Sequence, residues 1–259
     1  MIRALVFDLF DTLVDLRWDR VPHTEHAGRK LPAALRAMHT AVAEHSRGIG
    51  FEDLLEAMEA SRRDFRESHL RHDREVPTGE LMADVLARLS VEDAALAEEL
   101  TRLHMEGIRA GVVVLDHHRE VMERLGRERP LGLCSNFTHS ATALAVLDQA
   151  GLRDVIHADA LVVSDAVGWR KPHRGIFEAA SRALGVAPEE VLHVGDSLRA
   201  DVAGAAAQGS RTVWITRRID DPQAALAEHE GPPPDHVIAD LAELPALLDE
   251  LARAKASSG

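Results

Sequence analysis

The chain of 259 residues is poor in cysteine, in positive charge and in long hydrophobic runs, and each shortage excludes a class of protein. The single cysteine, Cys134, rules out an internal disulfide framework and fits a reducing compartment. A net charge of -13 argues against nucleic acid as a partner, because a phosphate backbone binds a basic face. No apolar run approaches the length of a membrane span, and the first residues lack the pattern of a signal peptide. We therefore expect a cytoplasmic protein without a membrane or nucleic-acid partner.

The sequence does contain short apolar runs that alternate with helical patterns. The run at residues 4–7 is continuous and ends in an acid and a turn, which is typical of a strand buried on both faces of a parallel sheet. Comparable runs recur after residue 112, at 131–135, 161–163, 191–194, 212–215 and 236–238. Strands that alternate with helices predict an α/β protein, with a parallel sheet and helices on both of its faces.

Residues 15–111 have a different pattern, with no convincing strand run. Their apolar residues recur at helical spacing instead. One example is the set Leu31, Leu35, Met38 and Val42. We interpret this segment as a helical domain inserted after the first strand, so that residues 1–14 and 112–259 together form the core domain.

Reactive polar residues lie near four predicted strand ends. They are Asp8 with Thr12, Ser135 with Asn136, Lys171, and Asp196 with Asp201. Each has an ordinary structural explanation by itself: Ser135 and Asn136 can cap the following helix, and Lys171 can belong to a solvated loop. In a parallel sheet, however, the carboxyl ends of the strands face one crevice, where ligands bind. The order of the residues therefore predicts a single site.

These stretches resemble the four motifs of the haloacid dehalogenase-like hydrolase superfamily. The matching segments are FDLFDTL at 7–13, LCSN at 133–136, GWRKP at 168–172 and HVGDSLRAD at 193–201. The resemblance extends over residues 2–14 and about 112–251, and it is most specific between Lys171 and Ala205. It implies a Rossmann-like core with the first strand at its centre, and a helical cap at residues 15–111.

The resemblance also implies the chemistry of the site. Asp8 would be the nucleophile that forms a covalent aspartyl intermediate, since a carboxylate attacks without first losing a proton. Lys171 would supply a fixed cation, Thr12 and Ser135 would donate hydrogen bonds, and Asn136 could add its amide. These four residues would bind the substrate, because phosphoryl transfer is catalysed mainly by positioning and charge neutralisation.

A bound Mg²⁺ is part of the same expectation. Neighbouring carboxylates resist ionisation together, and Mg²⁺ resolves the conflict because it takes hard oxygen ligands. Asp8, Asp196 and the backbone carbonyl of Phe10 would be direct ligands, while Asp201 would act from the second shell or through water.

The sequence departs from the phosphatase pattern at Phe10. Phosphatases of this superfamily usually have an Asp here, which protonates the leaving group and later activates water. Such acid–base help is typically worth about 10²–10⁴-fold in rate, and Phe10 cannot supply it. Asp11 follows Phe10 in the chain, but by strand alternation it points elsewhere, and we assign it no acid–base role.

Three hypotheses follow. The favoured one is Mg²⁺-dependent hydrolysis of a small phosphorylated metabolite. The second is a dehalogenase, whose halide leaves without a proton, or a phosphonate-cleaving enzyme. A dehalogenase would need a cap arginine to bind the substrate carboxylate, and Arg17, Arg20 and Arg29 are available. Phosphonate cleavage would need a cap lysine, and Lys30 is available. The third is a member that binds a phosphorylated ligand with little turnover. The sequence leaves the substrate open, and either a monomer or a homodimer fits it.

Histidines are numerous, and a cap histidine is one possible replacement for the missing acid. The candidates are His23, His26, His39, His45, His69 and His72. We expect most of them to lie on the surface and predict no metal site among them. The pair His117 and His118 is expected at the start of a helix.

Overall fold

A computed structural model describes residues 2–256 and contains a six-stranded sheet. The strands of the described chain are β1 (Ala4–Phe7), β2 (Asp15–Leu16), β3 (His23–His26), β4 (Arg29–Pro32), β5 (Val112–Val113), β6 (Leu131–Ser135), β7 (Leu161–Val163), β8 (Val191–Gly195), β9 (Arg211–Ile215) and β10 (His236–Ile238). The helices are α1 (Ala34–His45), α2 (Phe51–Ser68), α3 (Thr78–Arg88), α4 (Ala94–Arg109), α5 (Asp116–Glu128), α6 (Ser140–Gln149), α7 (Ser164–Val167), α8 (Arg174–Leu184), α9 (Gly204–Ala206), α10 (Pro222–Ala227) and α11 (Leu244–Ala256).

The large sheet is parallel throughout and has the order β10-β9-β8-β1-β6-β7. Strand β1 is central and fully buried, which confirms the prediction of a strand covered on both faces. Phe7 pairs with Leu133 of β6 on one side and with Val194 of β8 on the other. This register brings the carboxyl ends of the three strands side by side.

Hydrophobic packing covers both faces of the sheet. Leu5 and Phe7 belong to one apolar cluster, and Val6 between them belongs to the cluster on the opposite face. Successive strand residues point to opposite faces, so a run without alternation is what a doubly covered strand requires. The predicted α/β class, with a parallel sheet and helices on both faces, is confirmed.

Helices α1–α4 have a hydrophobic cluster of their own, with Met38, Leu54 and Leu100 fully buried in it. Strand β2 pairs antiparallel with β5, and these two short strands lie at the predicted junctions of residues 14/15 and 111/112. The division into two domains at these junctions stays a prediction, and residues 1 and 257–259 of its core part lie outside the described residues. No helix within residues 2–256 has the length and apolar character needed to cross a bilayer.

The expectation that residues 15–111 contain no strand is wrong. Strands β3 and β4 form an antiparallel hairpin, and Leu31 pairs with Thr24 instead of starting a helix. The turn uses Ala27 and Gly28, whose φ angles of 49° and 73° match the two-residue turns that join twisted strands. Because the hairpin residues are mostly charged or polar, they give no apolar alternation by which a sequence pattern could reveal a strand.

The burial of Cys134 leads to a prediction about its reactivity. The side chain is fully buried in β6, and burial raises the pKa of the thiol to about 12. Since the thiolate is the reactive form, we expect no detectable reaction of the native protein with a disulfide reagent at pH 8. Denatured protein should give one thiol per chain as the control. Rapid labelling of the native protein would contradict this packing of β6.

Candidate active site

Three strand ends bring the polar residues together. Asp8 follows β1 directly, Ser135 is the last residue of β6, and Asp196 follows β8. Asp8 is tied to β8 because its backbone N–H donates to the carbonyl of Val194 at 2.9 Å. The parallel register therefore places residues that are far apart in sequence at one edge of the sheet, as the sequence predicts.

Lys171 joins them from the loop before α8. Its Nζ lies 2.7 Å from Asp8 Oδ1 and 2.7 Å from Asp201 Oδ1, and the residue is only 3% exposed. Burial alone would favour the neutral amine, but the two carboxylates outweigh it and raise the pKa of Lys171 above its ordinary value. Lys171 is therefore a permanent cation between two acids.

Asn136 holds the backbone of Lys171 in place. Its side-chain amide donates to the carbonyl of Lys171 at 2.9 Å, and its Oδ1 accepts from the backbone N–H of Lys171 at 2.6 Å. The amide thus positions the lysine loop, whereas the predicted contact of Asn136 with substrate stays a prediction.

Asp201 is held on both of its carboxylate oxygens. Its Oδ1 accepts from Lys171 and lies 2.9 Å from His193 Nε2, and its Oδ2 accepts from the backbone N–H of Ser197 at 3.1 Å. Burial opposes ionisation, yet Lys171 and His193 more than offset it and lower the pKa of Asp201 to about 2. With both oxygens engaged, Asp201 suits the predicted second-shell position better than direct ligation.

His193 is a site residue that the sequence did not single out. It lies within β8 and is 1% exposed, and the sequence pattern does not distinguish it from the neighbouring strand residues. Only the wide helical turn Leu198–Ala203, which folds Asp201 back over the strand, brings it into hydrogen-bond distance of this carboxylate. Its position in the fourth motif is the one signal that could have identified it.

Asp196 has the opposite electrostatic environment. Burial, followed by the charges of Asp8 and Asp201, raises the pKa of Asp196 to about 8. Its backbone carbonyl accepts from Trp214 Nε1 at 2.7 Å, which fixes the turn after β8. Trp214 is 1% exposed in β9, so it belongs to the core of the sheet and also anchors this turn.

The three acids form a group that suits a hard cation. Carboxylate oxygens of Asp8, Asp196 and Asp201 all lie within 4.8 Å of one another. Lys171 balances only part of their charge, so the cluster needs either a proton on Asp196 or a divalent cation. Oxygen ligands at this density match the preference of Mg²⁺.

Two buried hydroxyls complete the site. Thr12 Oγ1 and Ser135 Oγ have no hydrogen-bond partner within residues 2–256, and their residues are 0% and 1% exposed. An unsatisfied buried polar group typically costs about 1–3 kcal/mol, and it calls for an explanation. Binding of a ligand's oxygen atoms would satisfy both hydroxyls.

Phe10 and Asp11 provide no replacement acid in the structure. The ring of Phe10 packs against Phe137, with their centroids 4.9 Å apart. Asp11 accepts a hydrogen bond from the backbone N–H of Leu16 at 3.2 Å and lies 3.7 Å from Arg218 Nε. The carboxylate of Asp11 is thus engaged by its own loop, in agreement with the expectation that it points elsewhere.

An ion pair that the sequence did not reveal supports the site from the helical segment. Arg170, next to Lys171, donates to both oxygens of Glu75 at 2.9 and 3.0 Å, and the Glu75 side chain is fully buried. Ser164 donates to the same carboxylate and accepts from the backbone N–H of Phe137 at 2.9 Å. The segment before α3 is thereby connected to the loops that carry Lys171 and Asn136.

The sequence is similar to those of known proteins. The family model of the haloacid dehalogenase-like hydrolases matches residues 2–209. A glyceraldehyde 3-phosphate phosphatase of Methanopyrus kandleri is 30% identical over 220 residues, which cover 84% of this chain and 85% of that protein.

Solved structures show the same architecture. A 2-haloacid dehalogenase from Pseudomonas syringae pv. Tomato superposes with a TM-score of 0.71 at 26% identity, over 97% of this chain and 100% of that one. A HAD-hydrolase from Bacillus subtilis, solved bound to magnesium, has a TM-score of 0.56 at 19% identity over 96% and 99% of the two chains, which shows a shared fold.

Gly195 offers a test of how tightly the site is packed. A Cβ atom added there would lie 2.2 Å from Asp201 Cγ, so Gly195→Ala must displace the carboxylate. We expect the free energy of unfolding to fall by about 1–3 kcal/mol in urea denaturation, as for other overpacked cores. Gly79→Ala is the matched control, because nothing lies within 4 Å of its added Cβ. Equal stability of the two variants would contradict the packing of Asp201 against β8.

Proposed function

Because the chain belongs to the haloacid dehalogenase-like hydrolase family and is a hydrolase, we propose that it cleaves a small phosphorylated metabolite with the help of Mg²⁺. The observation that carries this proposal is the group of three carboxylates around the buried Lys171. The phosphatase from Methanopyrus kandleri supports it, because the similarity covers most of both chains.

In the proposed reaction, a carboxylate oxygen of Asp8 attacks the phosphorus atom. A bond from phosphorus to Asp8 forms, the bond to the leaving oxygen breaks, and the leaving oxygen takes up a proton from water, from the substrate itself or from a cap residue. Water then attacks the aspartyl phosphate, which releases inorganic phosphate and restores the carboxylate. Splitting the displacement in this way lets one fixed carboxylate serve both steps.

The surrounding residues would hold the phosphoryl group and balance its charge. The unpartnered hydroxyls of Thr12 and Ser135 would donate to phosphoryl oxygens, and Lys171 would keep Asp8 oriented. Asp8, Asp196 and the carbonyl of Phe10 would hold Mg²⁺, which when bound neutralises negative charge on the phosphoryl group. Asp201 would keep Lys171 in position.

Helices α1–α4 would form the cap that selects the substrate. A cavity of about 260 Å³ lies beside these helices, with Arg62, Thr138 and Arg170 among its lining residues. Thr138 and Arg170 of this lining are close in sequence to Asn136 and Lys171 of the proposed site. The size of the cavity suits a small metabolite, and Arg62 and Arg66 in its lining could contact an anion, whereas Arg170 is paired with Glu75.

A dehalogenase is the second candidate, and two observations favour it. Phe10 removes the acid that a phosphatase ordinarily uses, and a halide needs none. In addition, burial and the charges of Asp8 and Asp201 raise the pKa of Asp196 to about 8, which favours its neutral form when no cation is bound and so weakens its repulsion of a haloacid. Against this candidate, Arg17 and Arg29 form exposed ion pairs with Asp19 and Glu59.

The remaining alternatives have less support. The phosphonate hypothesis depends on Lys30, which is exposed on strand β4. The hypothesis of a binding protein with little turnover is addressed by the same measurement that tests the enzyme.

The first test is hydrolysis of a panel of phosphate esters and anhydrides, followed by phosphate release. We expect turnover that needs Mg²⁺, stops with EDTA and falls roughly a thousandfold or more in Asp8→Asn, because the amide cannot act as the nucleophile. The exposed Asp148→Asn variant is the matched control and should retain full activity. Chloride release from 2-chloropropionate is measured in parallel.

The outcomes separate the hypotheses. Halide release that persists in EDTA, with no phosphate release, would identify a dehalogenase. Phosphate release that is equal in Asp8→Asn and in the native protein would exclude the proposed nucleophile. Tight binding of phosphorylated compounds without turnover would identify a binding protein.

A second test concerns the missing acid. If only the proton donor is absent, Phe10→Asp should raise the turnover of alkyl phosphates by about 10-fold or more, within the range that general acids supply. Phe10→Ala is the control, since it removes the contact with Phe137 without adding a carboxyl group. Equal rates in the two variants would mean that another group already donates the proton.

A further inference from the structure

A second group of potential metal ligands lies away from the carboxylate cluster. It comprises His117 and His118 at the start of α5 and Asp240 in the loop after β10, with one ligand atom of each within 4.8 Å of the others. His117 Nε2 is 2.9 Å from Asp240 Oδ1, and His118 Nε2 is 3.7 Å from Asp240 Oδ2. Both imidazoles therefore present the same ring nitrogen to one carboxylate.

His118 has the environment of a metal-binding histidine. It is 1% exposed, and its Nδ1 lies 2.9 Å from the backbone carbonyl of Leu13. A carbonyl can only accept, so Nδ1 carries the hydrogen and Nε2 keeps its lone pair. This Nε2 is buried and has no hydrogen-bond partner within residues 2–256, yet it is directed at Asp240. A ring fixed by a carbonyl on one nitrogen and open on the other is the usual arrangement at metal sites.

The spacing of the ligand atoms also fits a metal ion. Zinc binds imidazole nitrogen and carboxylate oxygen at about 2.0–2.1 Å, so two ligands at a tetrahedral angle are about 3.3 Å apart. The nitrogen–oxygen separations of 2.9 and 3.7 Å lie on either side of this value. Small side-chain adjustments would suffice to place one ion between the three residues.

The electrostatic surroundings leave Asp240 available. Its Oδ1 accepts from the backbone N–H of Ala242 at 2.9 Å, which anchors the carboxylate. Arg217 Nε is 3.6 Å from Asp240 Oδ2, but the same guanidinium donates to Asp15, which takes up much of its charge. Burial lowers the pKa of His118, which favours the neutral ring.

Solvent can reach the site from the other side. The side chains of His117 and Asp240 are 49% and 26% exposed, so an ion can enter and a water molecule can complete a four-coordinate shell. The ligands differ in kind from the three carboxylates near Lys171, since imidazole favours zinc and similar transition metals whereas all-oxygen sites favour magnesium.

We propose that His117, His118 and Asp240 form a binding site for a divalent transition metal of the zinc class. The site is independent of the proposed phosphatase activity. A bound ion would connect the start of α5 to the loop after β10, and through His118 to the carbonyl of Leu13 in the loop that follows Asp8. The metal would therefore stabilise the base of the active-site loop without contacting substrate.

The test is calorimetric titration of tag-free, metal-stripped protein with zinc chloride in the presence of excess magnesium chloride. We expect one zinc site per chain, with affinity reduced tenfold or more in His117→Ala and in Asp240→Asn. His72→Ala, which removes another exposed histidine, and Asp8→Asn, which disrupts the carboxylate cluster, should bind zinc like the native protein. His117 is largely exposed, so its variant is expected to fold normally.

Thermal unfolding provides a second readout. Zinc should raise the Tm of the native protein and of His72→Ala but not that of His117→Ala, because a ligand that binds only the folded state stabilises it. Absence of a zinc site in the native protein would overturn the proposal. Zinc binding that survives both His117→Ala and Asp240→Asn, or that disappears in Asp8→Asn alone, would overturn it as well.

Discussion

The buried ammonium of Lys171 between Asp8 and Asp201 is the interaction on which the rest of the site depends. Charges removed from water are tolerated only when they are closely paired and hydrogen-bonded, and removing one partner of such a pair typically costs about 3–5 kcal/mol. Asn136 holds the lysine backbone and His193 holds Asp201. Asn136 and His193 therefore belong to the same hydrogen-bonded arrangement as Lys171 and the two acids.

The positive charge of Lys171 does not balance the negative charges around it, and the way the excess is neutralised bears on the reaction. One lysine faces three acids, and the third, Asp196, has its pKa raised to about 8. A proton on Asp196 gives a site that a haloacid could enter, whereas a divalent cation gives a site suited to a phosphoryl group. A phosphatase and a dehalogenase are both among the similar proteins.

The sequence predicted the sheet because short apolar runs mark the strands. It also predicted that the candidate residues converge, because strand ends meet at one edge of any parallel sheet. The β3–β4 hairpin escaped prediction since its polar residues show no alternation. The contacts of Glu75 with Arg170 and of His118 with Leu13 join residues 95 and 105 positions apart. Such pairs leave no periodic signal, so only the folded chain reveals them.

The absence of an acid at Phe10 bears on which leaving groups the site can release. The ring of Phe10 replaces a carboxyl group and packs on Phe137, and Asp11 is engaged by Leu16, so neither residue offers a proton to a departing group. Hydrolysis then depends on how well the leaving group departs unaided. Acyl phosphates and anhydrides release weakly basic oxygens, whereas alkyl phosphates release strongly basic alkoxides that require protonation. In the proposed phosphatase reaction, Phe10 would therefore favour activated phosphates over simple alkyl esters, unless the substrate or a cap residue supplies the proton.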